Sequence, residues 1–189
     1  MKNILVLGGV GGMATESSYG LIETSDFGQI TIADIDLKKA EAFVKNAGDK
    51  RLKAAKVNAE NVAQMAELMA GYDIVANGLP RIYCENAIRA AIKTRVDMLD
   101  LISPHQETLA LNGEAQKAGI AIVGGVGMTP GLTNILAKLG SERLDTVESI
   151  DIDFAAFRGI AYSPGLLHVI LWEVDPKTKD RSYYENGEF

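Results

Sequence analysis

"LGGVGGMAT", residues 7–15, follows a short apolar run and places four glycines in five positions. Such a stretch is either a turn that holds a phosphate or a plain link between a strand and a helix, and its neighbours decide between them. "NILVL" (3–7) reads as a fully buried strand, and a helix is expected from about Met13 to Thr24. "QITIAD" (29–34) is a second strand, with "LKKAEAFVKNA" (37–47) as an amphipathic helix behind it. A third strand is expected at 54–58, a helix at 59–71, a fourth strand at 72–80 running into a loop, and a helix at 82–95. "VDMLDL" (96–101) is a fifth strand, 106–119 a helix despite Gly113, and "IAIVGG" (120–125) a sixth strand. Buried strands alternating with amphipathic helices specify an α/β domain, a doubly wound Rossmann-type parallel sheet with right-handed crossovers.

In that setting Gly9, Gly11 and Ala14 satisfy G-x-G-x-x-A. The first position allows the tight bend, the second lets backbone approach a pyrophosphate, and the third lets the helix pack close to the strand. A frame beginning at Gly8 fails, because Val10 takes the second glycine's place. Free N–H groups and the positive dipole end of the next helix suit a phosphate, so Val10, Gly12 and Met13 join the expected cofactor contacts. Asp34 ends the second strand, where a carboxylate can accept hydrogen bonds from ribose hydroxyls. Ile35 follows it rather than an arginine, which favours NAD over NADP, with Lys38 and Lys39 nearby as the opposing signal. Asp36 suits the N-cap of the next helix better than Asp34 does.

Two further strand ends face the same crevice. Asn58 and Ala59 follow the third strand, and Asn58 has two readings: contact with adenine, or the N-cap of the next helix. Asn77, Gly78 and Leu79 follow the fourth strand; Gly78 lets backbone come close to a ribose, and Asn77 bonds to cofactor or to a neighbouring loop. Asp100, at the end of the fifth strand, is the candidate catalytic residue, able to orient an amine or accept a proton. Its plainer reading is a structural carboxylate bonded to the next loop's N–H groups. His105 is read as a capping histidine or a proton relay, and His168 and Trp172 as packing or interface residues.

The chain has 189 residues and a net charge of −6, with 47% hydrophobic and 23% charged residues. The acidic balance argues against a nucleic-acid partner. One cysteine, Cys84, permits no internal disulfide and makes a structural zinc site unexpected, so no metal site is assigned. No apolar run reaches membrane-spanning length, and a cytoplasmic protein is the default expectation. Beyond the sixth strand the pattern changes. A helix over 131–144 is followed by strand-like "VESIDIDFAAF" (147–157) and "LLHVILWEV" (166–174), a turn, a short strand "RSYYE" (181–185) and the hairpin signal "NG" (186–187). The expected division is a dinucleotide-binding domain over 1–130 and the beginning of a second, α+β domain over 131–189, incomplete here. Strands left without partners there predict self-association through the tail.

"DIVANGLP" (73–80), "AIKTRVDMLDL" (91–101) and "AQKAGIAIVGGVGMTPGLTNIL" (115–136) resemble the saccharopine dehydrogenase family, within it the lysine ε-dehydrogenase-like members. The G-x-x-P-G-L-x-N segment (Gly127, Pro130, Gly131, Leu132, Asn134) is the most specific piece. The resemblance implies an NAD(P)-dependent oxidoreductase that moves a hydride at a C–N bond of an amino acid or polyamine such as saccharopine or lysine. It also implies a second domain that covers substrate and makes a homodimer. Met128 and Thr129, after the sixth strand, are the expected substrate-pocket residues. Usual members have a longer second domain and return to the sheet at their end; this departure bears on catalysis rather than on cofactor binding. The alternative is a nucleotide-binding module without redox activity.

Overall fold

Ile4, Leu5, Val6 and Leu7 are each 2% exposed or less, so both faces of the opening strand are covered, as its unbroken apolar run predicts. The structure is a computed structural model and describes residues 1–102, 104–153, 167, 171 and 175. Its strands are β1 (Asn3–Leu7), β2 (Gln29–Asp34), β3 (Leu52–Lys56), β4 (Ile74–Asn77), β5 (Asp97–Asp100) and β6 (Ile122–Gly124). Its helices are α1 (Ala14–Thr24), α2 (Leu37–Ala47), α3 (Val62–Met69), α4 (Cys84–Thr94), α5 (Gln106–Leu109), α6 (Asn112–Ala118) and α7 (Leu132–Ser141). The strands form one sheet in the order β3-β2-β1-β4-β5-β6, every pair parallel. The order reverses at β1, which places a switch point at the C-terminal ends of β1 and β4.

Alternation along the strands divides the core. Ile4, Val6, Ile30 and Ile32 meet Ala40 and Phe43 of α2 on one face. Leu5, Leu7, Val75 and Met98 meet Met65 and Met69 of α3 and Ala87 and Ile88 of α4 on the other. Each such aliphatic side chain contributes about 1.5–3 kcal/mol by leaving water. Arg51, just before β3, fastens the end of α1: its guanidinium donates to the carbonyls of Ser25 (2.7 Å) and Ile22 (2.5 Å) while Asp49 pairs with it at 2.7 Å.

Several expected boundaries move for identifiable reasons. β3 spans 52–56 rather than 54–58, because Leu52 is the side chain that sits opposite Ile30. α3 begins at Val62, not Ala59, because the Asn61 side chain accepts from Gln64 N–H and caps it. Asn58 is therefore not that cap; its Oδ1 accepts from Glu60 N–H at 3.0 Å. The single helix expected over 106–119 is two, α5 and α6, parted where Leu111 turns inward to 3% exposure. In the tail, 147–153 form no strand, with Ile150 and Ile152 57% and 49% exposed and no ladder partner among the described residues. Leu167 and Leu171, expected in a strand, are helical instead. His168, Trp172, the strand at 181–185 and the "NG" signal lie outside the described residues. No helix among the described residues is long and apolar enough to cross a membrane.

Candidate functional site

Because all six strands run the same way, the loops after them share one edge of the sheet. That edge brings together Gly9, Val10, Gly11, Gly12 and Met13 after β1, Asp34 and Ile35 at the end of β2, and Asn58 and Ala59 after β3. It also carries Asn77, Gly78 and Leu79 around the end of β4, Asp100 at the end of β5, and Met128 and Thr129 after β6.

The glycine turn is built by contacts the local pattern does not display. Gly8, not Gly9, takes the left-handed bend, at φ +66°. Gly9 is held to glycine by its neighbour across the sheet: a Cβ there would lie 2.8 Å from Ile32 Cγ2. Gly11 N–H donates to Gly8 carbonyl at 2.9 Å, and a Cβ on Gly11 would meet only that carbonyl, at 3.1 Å. The outer side of the turn is thus open to an approaching group. The N–H groups of Val10, Gly12 and Met13 donate to no acceptor among the described residues, and α1 has no side-chain cap. Side chains do cap α2 and α3, through Asp36 and Asn61. An open turn with undonated amides at a helix start fits a pyrophosphate. Two partners complete it. A Cβ at Gly78 would lie 2.8 Å from Ala14 Cβ, so the end of β4 and the start of α1 are small because they press together. Ser18, buried and unnoticed in the sequence, donates to the carbonyls of Ala14 (2.8 Å) and Gly9 (3.1 Å) and ties the helix to the turn. Its signal was a serine one helical turn beyond Ala14.

At the end of β2, Asp34 Oδ1 accepts from Asp36 N–H at 3.1 Å. Asp36 caps α2 by accepting from Lys39 N–H at 3.2 Å, as expected, and its other oxygen lies 3.8 Å from Lys39 Nζ. Ile35 stands 60% exposed. Asn58 N–H donates to Gln64 Oε1, and the Ala59 carbonyl accepts from Asn86 Nδ2.

The ends of β4 and β5 are joined by a buried polar cluster. Asn77, Cys84 and Asp100 are 1%, 0% and 4% exposed. Asp100 Oδ1 accepts from Ile102 N–H at 2.9 Å and from the Cys84 thiol at 3.8 Å. Asn77 Oδ1 accepts from Leu79 N–H, and its amide nitrogen lies 3.7 Å from the thiol. Burial pushes the Asp100 carboxyl above the usual carboxylate range, against the pull of the Ile102 amide, Asn77, Cys84 and His105. Burial, with the Asp100 charge beside it, pushes the Cys84 thiol far up, so it stays protonated. His105 caps α5; its Nδ1 lies 3.4 Å from Thr108 Oγ1 and its Nε2 3.7 Å from Glu107. Next to this cluster, on the α4 and α6 side of the sheet, a cavity is lined by Ile88, Asp100, Ile102, His105, Leu111 and Ile122. No cluster of three or more His, Cys, Asp or Glu residues able to hold a metal occurs among the described residues.

The loop after β6 is a closed knot. Gly127 N–H donates to Pro130 carbonyl (3.0 Å), Leu132 N–H to Gly127 carbonyl (2.9 Å), and Gly131 N–H to Asn134 Oδ1 (2.9 Å). Gly131 has φ +127°, and a Cβ on it would overlap the Gly127 carbonyl, which explains the glycine at 131. Met128, 58% exposed, and Thr129 stand at its tip.

Comparison with known proteins gives this geometry a lineage. Residues 4–123 match the family model described as saccharopine dehydrogenase NADP binding domain. Saccharopine dehydrogenase [NADP(+), L-glutamate-forming] of Saccharomyces cerevisiae is 28% identical over 138 residues, 72% of this chain and 29% of its own. The enzyme of the same name from Schizosaccharomyces pombe is 26% identical over 137 residues, 72% of this chain and 30% of its own. The apo structure of saccharopine dehydrogenase (L-Glu forming) from S. cerevisiae superposes with a TM-score of 0.67 at 26% identity, over 76% of this chain and 31% of that one. The chain thus spans just under a third of the relatives it matches. These findings overturn the expectation of NAD over NADP: the matching domain is described as NADP binding, and both relatives are named for NADP(+). That expectation counted the Asp34 charge as facing the ribose, whereas one of its oxygens serves the Asp36 amide.

Proposed function

The chain belongs to the saccharopine dehydrogenase family, and from that premise we propose that its sheet edge holds NADP(H) for oxidoreduction at a C–N bond of an amino acid such as saccharopine. The observation that carries this reading is the glycine turn: open outward at Gly11, with undonated amides at Val10, Gly12 and Met13, inside the matched domain. Those amides hold the pyrophosphate. Asp34, Ile35, Asn58 and Ala59 border the adenosine half. Asn77, Gly78 and Leu79 border the nicotinamide ribose, and Met128 and Thr129 the substrate side. NADP(H), when bound, supplies or takes the hydride. Asp100 serves as a positioning residue, since its Oδ1 already accepts from Ile102 N–H and the Cys84 thiol. Residues from 131 onward begin the second unit, which in the whole protein covers the substrate and pairs two copies.

Titration calorimetry with NADPH tests the site. Binding is expected in the native chain, and a loss of about tenfold or more is expected in Gly11→Val, whose side chain intrudes where the pyrophosphate approaches. Equal binding by both proteins would sink the assignment. A second reading, dinucleotide binding without turnover, draws on the burial of Asp100 and Cys84. Change in reduced-nicotinamide absorbance with saccharopine and NADP separates the two: turnover excludes the second.

A further inference from the structure

The charges around the end of β2 are unevenly satisfied. Asp34 Oδ1 accepts from Asp36 N–H, and Asp36 spends its two oxygens on the backbone and side chain of Lys39. The Lys38 side chain, beside Lys39 in the first turn of α2, has no hydrogen bond or ion pair among the described residues, nor has the Lys56 side chain at the end of β3. Lys56 is the register partner of Asp34 on the adjoining strand, so both side chains leave the same face of the sheet at the same edge. Three ammonium groups thus accompany two carboxylates, and the two exposed lysines without side-chain partners stand in the first turn of α2 and at the end of β3, the strand that pairs with β2. The first turn of α2 contains no acidic residue. Lysines there oppose the helix dipole, an arrangement that an anion between them would relieve.

We propose that Lys38 and Lys56 hold the 2′-phosphate of NADP(H), and that they set its preference over NAD(H). The proposal rests on the reading that the dinucleotide lies across the glycine turn, because only that places the adenosine ribose over the end of β2. Each lysine acts as a mobile point charge, and no arginine fork is needed to hold the phosphate. Asp34 does not forbid the phosphate, since one of its oxygens already accepts from the Asp36 amide and the cationic Lys56 is its register partner on β3.

Affinities of the full chain for NADPH and NADH, measured by nucleotide fluorescence at low and high salt, test this. The native chain is expected to favour NADPH, with an affinity that falls more steeply with salt than that for NADH. Lys38→Gln and Lys56→Gln are each expected to weaken NADPH by about tenfold while leaving NADH within about twofold. Lys45→Gln, in the last turn of α2, is expected to change neither. Both side chains are exposed, so the fold tolerates their loss; retained NADH binding verifies it within the same experiment. If both variants keep the native ratio of NADPH to NADH affinity, the lysines are not the phosphate site, although the glycine turn still stands. If the native chain binds neither dinucleotide, this proposal and the reading beneath it fall together.

Discussion

Gly9 shows how one residue joins sequence to packing. The motif marks it as a glycine for a bend, yet Gly8 makes the bend and Gly9 answers to Ile32, 2.8 Å from where its Cβ would stand. Gly9→Ala is expected to cost about 1–3 kcal/mol through overpacking. In an Ile32→Ala background the same change is expected to cost much less, because the opposing methyl is gone. Urea unfolding of the four proteins measures the coupling, and an equal cost in both backgrounds would refute the contact. Asp36 was legible as a cap because its partner, Lys39 N–H, lies three residues away. The preference for NAD drawn from Asp34 failed because one oxygen of its carboxylate is taken by the Asp36 amide, a turn contact that a residue type does not encode.

Strand ends are where elements are locked together. Asn77 closes β4, Asp100 closes β5, and Cys84 opens α4 between them. The carboxyl at this junction is raised by burial, so the folded state favours its protonated form. The stability it contributes is full below the ordinary carboxyl value of about 3.9 and is lost as pH rises through the raised folded value. Asp100→Asn keeps an acceptor for Ile102 N–H and carries no charge at any pH. Native stability relative to this variant is therefore expected to fall between about pH 4 and pH 8. Unfolding midpoints at the two pH values check it; a difference that stays flat or rises would contradict the assignment. The elements themselves were legible where periodicity was strong, as in α2, whose bounds of 37–47 are the expected ones. They were shifted where a distant partner decides, as at β3, whose register follows Ile30.

At the scale of the molecule, apolar surface remains uncovered beyond β6. Leu132, Ile135, Leu136 and Leu139 form one stripe along α7 and are 50%, 58%, 58% and 49% exposed. Such a stripe favours association. Sedimentation at about 10–100 μM, a range in which weak protein contacts form, is expected to show dimers or larger species, and Leu136→Glu is expected to shift them toward monomer. A monomer across that range would contradict the expectation. The strand-like stretch expected at 147–157 belongs to the same region: over its described residues, 147–153, it is not a strand, because a strand exists only with a ladder to join and the described residues offer none.

The amino-acid sequence by itself determined the alternation of strands and helices, the place of the glycine turn between β1 and α1, and the cap of α2. Each of these follows from spacing and chemistry within a few neighbouring residues. Tertiary structure alone decided that Gly9 faces Ile32, that Gly78 meets Ala14, that Asp34 and Lys56 end paired strands, and that Asn77, Cys84 and Asp100 share one buried junction. Those contacts join residues far apart in the chain, and only the packing of the sheet fixes which of them touch.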